Sequence, residues 1–516
     1  MHTNVNKSWL SSIQSFLQPP IISMLFLGFS AGIPLLLIFS SLSLWLVEAG
    51  VQRSTVTYFS WAALGYSFKF LWAPLIDRIP LPFLTHLLGK RRAWLLVAQA
   101  MVISAIVMIA FIDPAQGDKQ LINMAFAAIF LGFSSATQDI VIDAYRIESA
   151  DTSLQALMSS TYIAGYRIGM LASGAGALVL ASYFGSEKAA YSYLAWHQTY
   201  LYMAAFMLIG VCTTLLIPEP EKKDGIQSQH TSKQYLQFLF VFIICIVIFI
   251  STYLALKTPI SLIKTGLISL SDSAPISSFI VETLRLLIAL VVTGGIAYLL
   301  AYLQLVDKQL VWESYLAPIE DFFQRYGKVI AIALLIFIGF YRVSDIVLGV
   351  IANVFFQEIG FSKIQIATVV KTFGLVMTLI GGFLGGVLAM RFGVMKILFL
   401  GALLTVSTNL LFMILASAGN DILLLYLVIS ADNLSAGIAS AAFVAFLSSL
   451  TNVSFTAVQY AIFTSLMTLM PKLIGGYSGS IVENIGYSNF FLVASLMGIP
   501  VLFLLYFLNK HISLKE

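Results

Sequence analysis

Residues 134–148 read SSATQDIVIDAYRIE, and within them Asp139, Asp143 and Arg146 stand at i, i+4 and i+7. On a helix, at about 100° per residue, the three fall within roughly 60° of one another and span about 10 Å. Two carboxylates and a guanidinium on one stripe can carry a proton, hold an opposite charge or neutralise each other. The run that leads into them, from Leu121, is apolar enough to lie in a bilayer. A charge facing lipid there costs at least about 2.5–3.5 kcal/mol, so the stripe must face protein or water. Asp143 and Arg146 can settle as a pair at the helix end. Asp139 lies deeper and is harder to satisfy in that way.

Other ionisable residues sit inside apolar stretches: Lys69 in ALGYSFKFLW, Arg167 in YIAGYRIGML, Arg342 and Asp345 in GFYRVSDIVL, Lys371 in ATVVKTFGLV and Asp432 in VISADNLSAG. Arg342 and Asp345 at i and i+3 can pair locally, as can Glu282 and Arg285. Lys69, Arg167 and Lys371 have no acid on their own helix, so they require partners from elsewhere or an anionic ligand. Tyr66 stands one turn before Lys69, and Tyr162 and Tyr166 precede Arg167. Aromatic faces with hydrogen-bonding tips suit sugar rings, although ordinary packing accounts for many tyrosines. Asp139, Asp143 and Asp432 are candidates for taking up and releasing a proton, since a carboxylate in a low-dielectric site can change protonation near neutrality.

The elements that position these groups are set by composition. Of 516 residues, 59% are hydrophobic and 10% charged, and the mean hydropathy is +0.94. A soluble domain carries about 25% charged residues, so the class is an all-α integral membrane protein. Apolar runs of about 20 residues, the length that crosses a bilayer, recur throughout. A net charge of +4 without basic–aromatic clusters speaks against nucleic-acid binding. The five histidines share no helix face at metal-ligand spacing, so no metal is expected. Cys212 and Cys245 lie in apolar runs and imply no disulfide framework. The run after Pro19 and Pro20 reads as a retained first span rather than a cleaved signal.

The runs fall as six, two and six, about 14 spans in all. Residues 1–20 form an interfacial segment, 21–217 a first six-helix bundle and 218–328 a linker holding two additional spans. Residues 329–508 form a second six-helix bundle and 509–516 a tail. Most loop Lys and Arg, among them Arg78, Lys90, Arg91, Arg92, Lys222 and Lys223, fall on one side, which places both termini in the cytoplasm. The loop APLIDRIPLPFLTHLLGKRR after the second span and GGVLAMRFGVMK in the later bundle look like two copies of one signal. Each resembles the Gly-x-Leu-Ala-Asp-Arg loop of the major facilitator superfamily, which implies two repeats meeting at a central site. The second copy has Met390 where the acid would stand. On this resemblance Asp77, Arg78 and Arg391 become gating candidates, with Arg146 and Asp345.

The stretches GFSAGIPLLLI, FKFLWAPLIDR, RRAWLL, SSATQDIVIDAYRIE and GYRIGMLASG, followed by YRVSD, VVKTFGLV, SAAFVAFLSSLTN and SFTAVQYAIFTSL, resemble the AmpG muropeptide permeases. The resemblance covers nearly the whole chain except about 220–325. It implies a multi-pass protein of the bacterial inner membrane that imports anhydro-muropeptides for peptidoglycan recycling, feeding β-lactamase induction where that circuit exists. It implies a proton gradient as the drive, no cofactor and a monomer, with cargo, proton and bilayer as the only partners. Lys69, Arg167, Arg342 and Lys371 would then meet carboxylates of the cargo, and Tyr66, Tyr162, Gln138 and Gln459 its sugar or amide groups. Two other readings stand beside this one: a facilitator for another bulky anion, such as a coenzyme A ester or a siderophore, and a polytopic membrane enzyme.

Overall fold

A computed structural model describes residues 15–51, 59, 66, 68–151, 154–186, 190–220, 231–256, 259, 274–361, 365–475 and 478–512. Helices account for nearly all of them, and no β-strand occurs among the described residues. Eleven of these helices are long and apolar enough to cross a membrane, and Leu287–Tyr302 and Val453–Leu469 are shorter apolar ones. The second span of the first bundle, at 54–76 by hydropathy, lies in good part outside the described residues.

The chain packs as two units, Met1–Gly225 with Phe322–Glu516, and Ile226–Asp321. In the first unit, helix α1 (Pro19–Leu36) begins on prolines whose missing N–H is not needed there. A π-helical turn, Leu37–Ser41, joins it to α2 (Leu42–Glu48). Then come α3 (Ala73–Arg78), α4 (Leu84–Leu88), α5 (Lys90–Ala110), α6 (Asp118–Glu148), α7 (Gln155–Leu171), α8 (Ala177–Tyr183), α9 (Tyr193–Phe206) and α10 (Leu208–Leu216). The smaller unit holds α11 (Ser232–Ala255), α12 (Ala274–Tyr302) and α13 (Lys308–Val311). Helix α14 (Ala317–Phe340) leads back into the larger unit through a kink at Gly327, whose φ is 73°. There follow α15 (Val343–Glu358), α16 (Gly374–Phe392), α17 (Val394–Ala418), α18 (Ile422–Leu450), α19 (Thr456–Gly475), α20 (Ser478–Leu496) and α21 (Ile499–His511).

The polar stretch 307–328, read from its composition as linker, is largely helical. Asp307 caps α13 by accepting from the Gln309 and Leu310 amides. In the smaller unit Thr231 and Gln234 form a reciprocal capping box on α11. The Arg285 guanidinium on α12 lies 3.8 Å from the centroid of the Tyr253 ring and donates from Nε to the Tyr253 carbonyl. The pairing expected of Arg285 with Glu282 falls on a side chain outside the described residues.

Within the larger unit, α1 and α7 cross without side chains between them. A Cβ placed on Gly28 would lie 2.2 Å from the Tyr162 carbonyl oxygen, and one on Gly165 would lie 2.0 Å from that of Leu25. The spacing of small residues thus fixes a backbone-to-backbone seam, and the seam holds the segment carrying Tyr162, Tyr166 and Arg167. At the end of the first bundle remote from Asp77, Trp45 stacks on Trp196 at 5.6 Å. Glu48 there accepts from Trp196 Nε1 at 2.7 Å and from Ser186 Oγ at 2.8 Å. Tyr191 accepts from Trp45 and donates to Asp113. Burial, reinforced by Asp113, raises the Tyr191 phenol above its ordinary range.

Candidate functional site

The stripe on α6 is buried. Asp139, Asp143 and Arg146 are 8%, 7% and 0% exposed, and Gln138 beside them is fully covered. Lys69 lies on a 3-10 turn, Lys69–Leu71, just before α3. Its Nζ stands 3.5 Å from Asp143 Oδ2, and Arg146 Nη2 stands 3.5 Å from Asp143 Oδ1. One carboxylate is therefore shared by two cations.

Lys69, Asp143, Tyr66, Tyr162 and Tyr166 face Asp139 among the described residues. No salt bridge reaches Asp139 among the described residues, and its Oδ1 is buried without a hydrogen-bond partner. The Tyr162 hydroxyl bonds the carboxyl group, and a buried carboxylate without an ion pair is costly. Tyr66 donates to Ser135 Oγ at 2.6 Å. Gln138 donates to Ser30 Oγ at 3.3 Å, while its Oε1 is buried without a partner.

A second cluster straddles the halves. Arg342 and Asp345 on α15 form an ion pair, and Asp432 on α18 lies within electrostatic reach of both. Arg167 from α7 faces Arg342 and Asp345 from the other half. Two guanidiniums of like charge facing each other make a favourable place for an anionic group between them. Lys371 lies on the π-helical segment Ile366–Phe373. Its side chain is exposed, and no salt bridge joins it to either cluster among the described residues.

Of the gating candidates, Asp77, Arg78 and Arg391 occupy one end of the bundle, whereas Asp345 is paired with Arg342 in the second cluster. Asp77 pairs with Arg91 rather than with its neighbour Arg78: Arg91 Nη2 lies 2.7 Å from Asp77 Oδ1, and Arg91 Nε donates to Glu148 Oε2 at 2.8 Å. The other Asp77 oxygen accepts from the Val458 amide at 3.0 Å, in the first turn of α19. A carboxylate there satisfies an orphan donor and the positive end of the helix dipole, so one side chain of the first half caps a helix of the second. Arg78 lies over the Phe455 ring at 5.7 Å, and Arg391 over that of Phe392 at 5.6 Å. Gly386 packs against Ser160 and Ala156 of α7 with no space for a Cβ. Glu219 accepts from the Arg91 and Arg92 amides and so caps α5.

Gln459 lies at this same end. Its Oε1 accepts from the Asn452 amide at 2.7 Å and from Arg325 Nη2 at 3.1 Å, so it ties the turn between α18 and α19 to α14. Arg91, Glu148, Glu219, Arg325, Ser448 and Tyr460 were given no site role by the sequence, although Arg91 lies in RRAWLL, Glu148 in SSATQDIVIDAYRIE, Ser448 in SAAFVAFLSSLTN and Tyr460 in SFTAVQYAIFTSL. A groove of about 720 Å³ on the first half, lined by Pro20, Phe26, Tyr145, Ile209, Cys212 and Leu216, is apolar and holds none of the clustered charges.

Solved structures share this architecture. The proton:xylose symporter XylE of the major facilitator superfamily aligns with a TM-score of 0.55 at 13% identity over 96% of each chain. The human organic anion transporter MFSD10 aligns with a TM-score of 0.53 at 13% identity, over 94% of this chain and 99% of that one. Two helical halves with charges where they meet give this chain the major facilitator fold.

Sequence comparison narrows the class. The AmpG 4 transporter of Rickettsia conorii is 30% identical over 94% of this chain and 96% of its own. The anhydromuropeptide permease of Escherichia coli K12 is 28% identical over 96% of this chain and 80% of its own. A family model described as acetyl-coenzyme A transporter 1 matches residues 21–239. The chain belongs to the AmpG family of transporters.

Proposed function

We propose that this protein imports anhydro-muropeptides across the bacterial inner membrane by alternating access, driven by a proton gradient and acting as a monomer. The observation that carries the reading is the pair of acid–base clusters, Lys69–Asp139–Asp143 and Arg167–Arg342–Asp345–Asp432, supplied by both halves of a transporter fold. Cargo carboxylates go to Lys69 and to the facing Arg167 and Arg342, while Tyr66, Tyr162 and Gln138 take sugar or amide groups. Asp139 carries the proton. Asp77 to Val458 and Arg146 to Ser448 join the halves at the Asp77 end, and the distribution of loop Lys and Arg supports a cytoplasmic position for that end. The conformation is then one closed inward, ready to admit cargo from the periplasm.

The relatives' extent supports this cargo over a coenzyme A ester. Full-length similarity is to AmpG transporters and a muropeptide permease, whereas the acetyl-coenzyme A transporter model ends at residue 239 and leaves the second half unmatched. Purified protein in vesicles, acid outside, should accumulate labelled anhydro-muropeptide and lose the accumulation when a protonophore collapses the gradient. Insertion without accumulation would overturn the proposal.

A further inference from the structure

Arg146 is fully buried, yet its hydrogen bonds are unevenly spread. Nη1 alone serves three acceptors: Ser448 Oγ at 2.7 Å, Ser159 Oγ at 3.1 Å and Gln155 Oε1 at 3.2 Å. Nε and Nη2 have no hydrogen-bond partner. Unmade hydrogen bonds on a buried guanidinium are expensive. Asp143 is the carboxylate beside Nη2, and its 3.5 Å separations from both Arg146 and Lys69 exceed the roughly 2.7–2.9 Å of a tight charge-assisted bond.

Two of the groups around Arg146 belong to the other half. Ser448 is on α18, its own proton spent on the Val444 carbonyl, so its free lone pairs are what Arg146 engages. Tyr460 on α19 lies with its ring 5.2 Å from the guanidinium carbon, a cation–π distance. Besides Lys69 and Arg146, the titratable groups that face Asp143 are Asp139, Tyr162, Tyr166 and Tyr460.

We propose that Ser448 and Tyr460 form, with Arg146, a clasp between the halves whose hold is set by Asp143 through Lys69. With the cargo site empty, Lys69 neutralises Asp143, and Arg146 stays on Ser448 and Tyr460. A cargo carboxylate that takes Lys69 leaves Asp143 with Arg146 as its only cation. The idle Nε and Nη2 donors then turn to Asp143, Nη1 leaves Ser448, and the inner end is released. Both arrangements are satisfiable, which a two-state element requires. The scheme rests on the cargo reading above only for what displaces Lys69, and the clasp is testable without cargo.

The test places spin labels at His86 and Ser454, both exposed, in the full chain with Cys212 and Cys245 replaced by serine. Distances across the inner end are measured with and without anhydro-muropeptide. Ser448→Ala and Lys69→Gln should each move the cargo-free population toward the longer distance, about tenfold or more in closed-to-open ratio for a lost charge-assisted bond. Asp143→Asn should still be thermally stabilised by cargo but show no lengthening. A cargo-free population in Ser448→Ala matching the unsubstituted protein, or normal opening in Asp143→Asn, would overturn the clasp. If cargo fails to stabilise the unsubstituted protein, the transport reading fails, while the two cargo-free variants still decide the clasp.

Discussion

Gly381 and Gly382 are neighbours on α16, and the structure assigns them opposite responses to the same substitution. A Cβ on Gly381 would lie 2.2 Å from the Leu434 carbonyl oxygen of α18, whereas one on Gly382 meets nothing within 4 Å. A carbon–oxygen contact settles at about 3.3 Å, so Gly381→Ala forces α16 and α18 apart by about 1 Å. The obstructing atom is backbone and cannot swing aside. Overpacking of this kind costs about 1–3 kcal/mol, against a gain in helix propensity of about 0.8–1 kcal/mol for replacing glycine by alanine. That gain is common to both variants, so the stability difference between them isolates the steric cost of about 1–3 kcal/mol. Thermal unfolding of the two purified variants in one detergent measures it. Uptake should fall in Gly381→Ala alone, because α18 carries Asp432 and α16 follows directly on the segment carrying Lys371. Equal stabilities, or a more stable Gly381→Ala, would refute the backbone seam.

Arg91→Leu leaves the Asp77 and Glu148 carboxylates facing each other without their shared cation and should cost about 3–5 kcal/mol. Adding Asp77→Asn should return part of the lost melting temperature. Asp139→Asn should abolish gradient-driven accumulation of labelled muropeptide while sparing its exchange across the membrane at equal pH, and accumulation at the original level would remove Asp139 from coupling. Gln459→Ala should lower stability by about 1 kcal/mol through the turn at Asn452 with an unchanged KM for cargo, and a raised KM would return Gln459 to the cargo site.

The membrane class, the two helical halves and the family were legible in the chain alone, because hydropathy and motif order are local properties that a helix displays along its own length. Lys69, Asp139, Asp143, Arg167, Arg342 and Asp432 could be singled out for the same reason: an ionisable group inside an apolar run is costly wherever the run ends up. The i, i+3 pair Arg342–Asp345 was readable too, since its two members share one helix face.

Which groups meet was decided only by the tertiary structure. Asp77 takes Arg91, 14 positions on, instead of the adjacent Arg78, and caps a helix 381 positions away. Arg146 reaches Ser448 across 302 positions. Gln459, placed with the cargo on motif alone, binds Asn452 and Arg325, and Lys371 forms no salt bridge with either cluster among the described residues. The physical reason is that periodicity fixes the face a residue occupies on its own helix, while the rotation of that helix and the depth at which it meets another are set by the packing of all of them together.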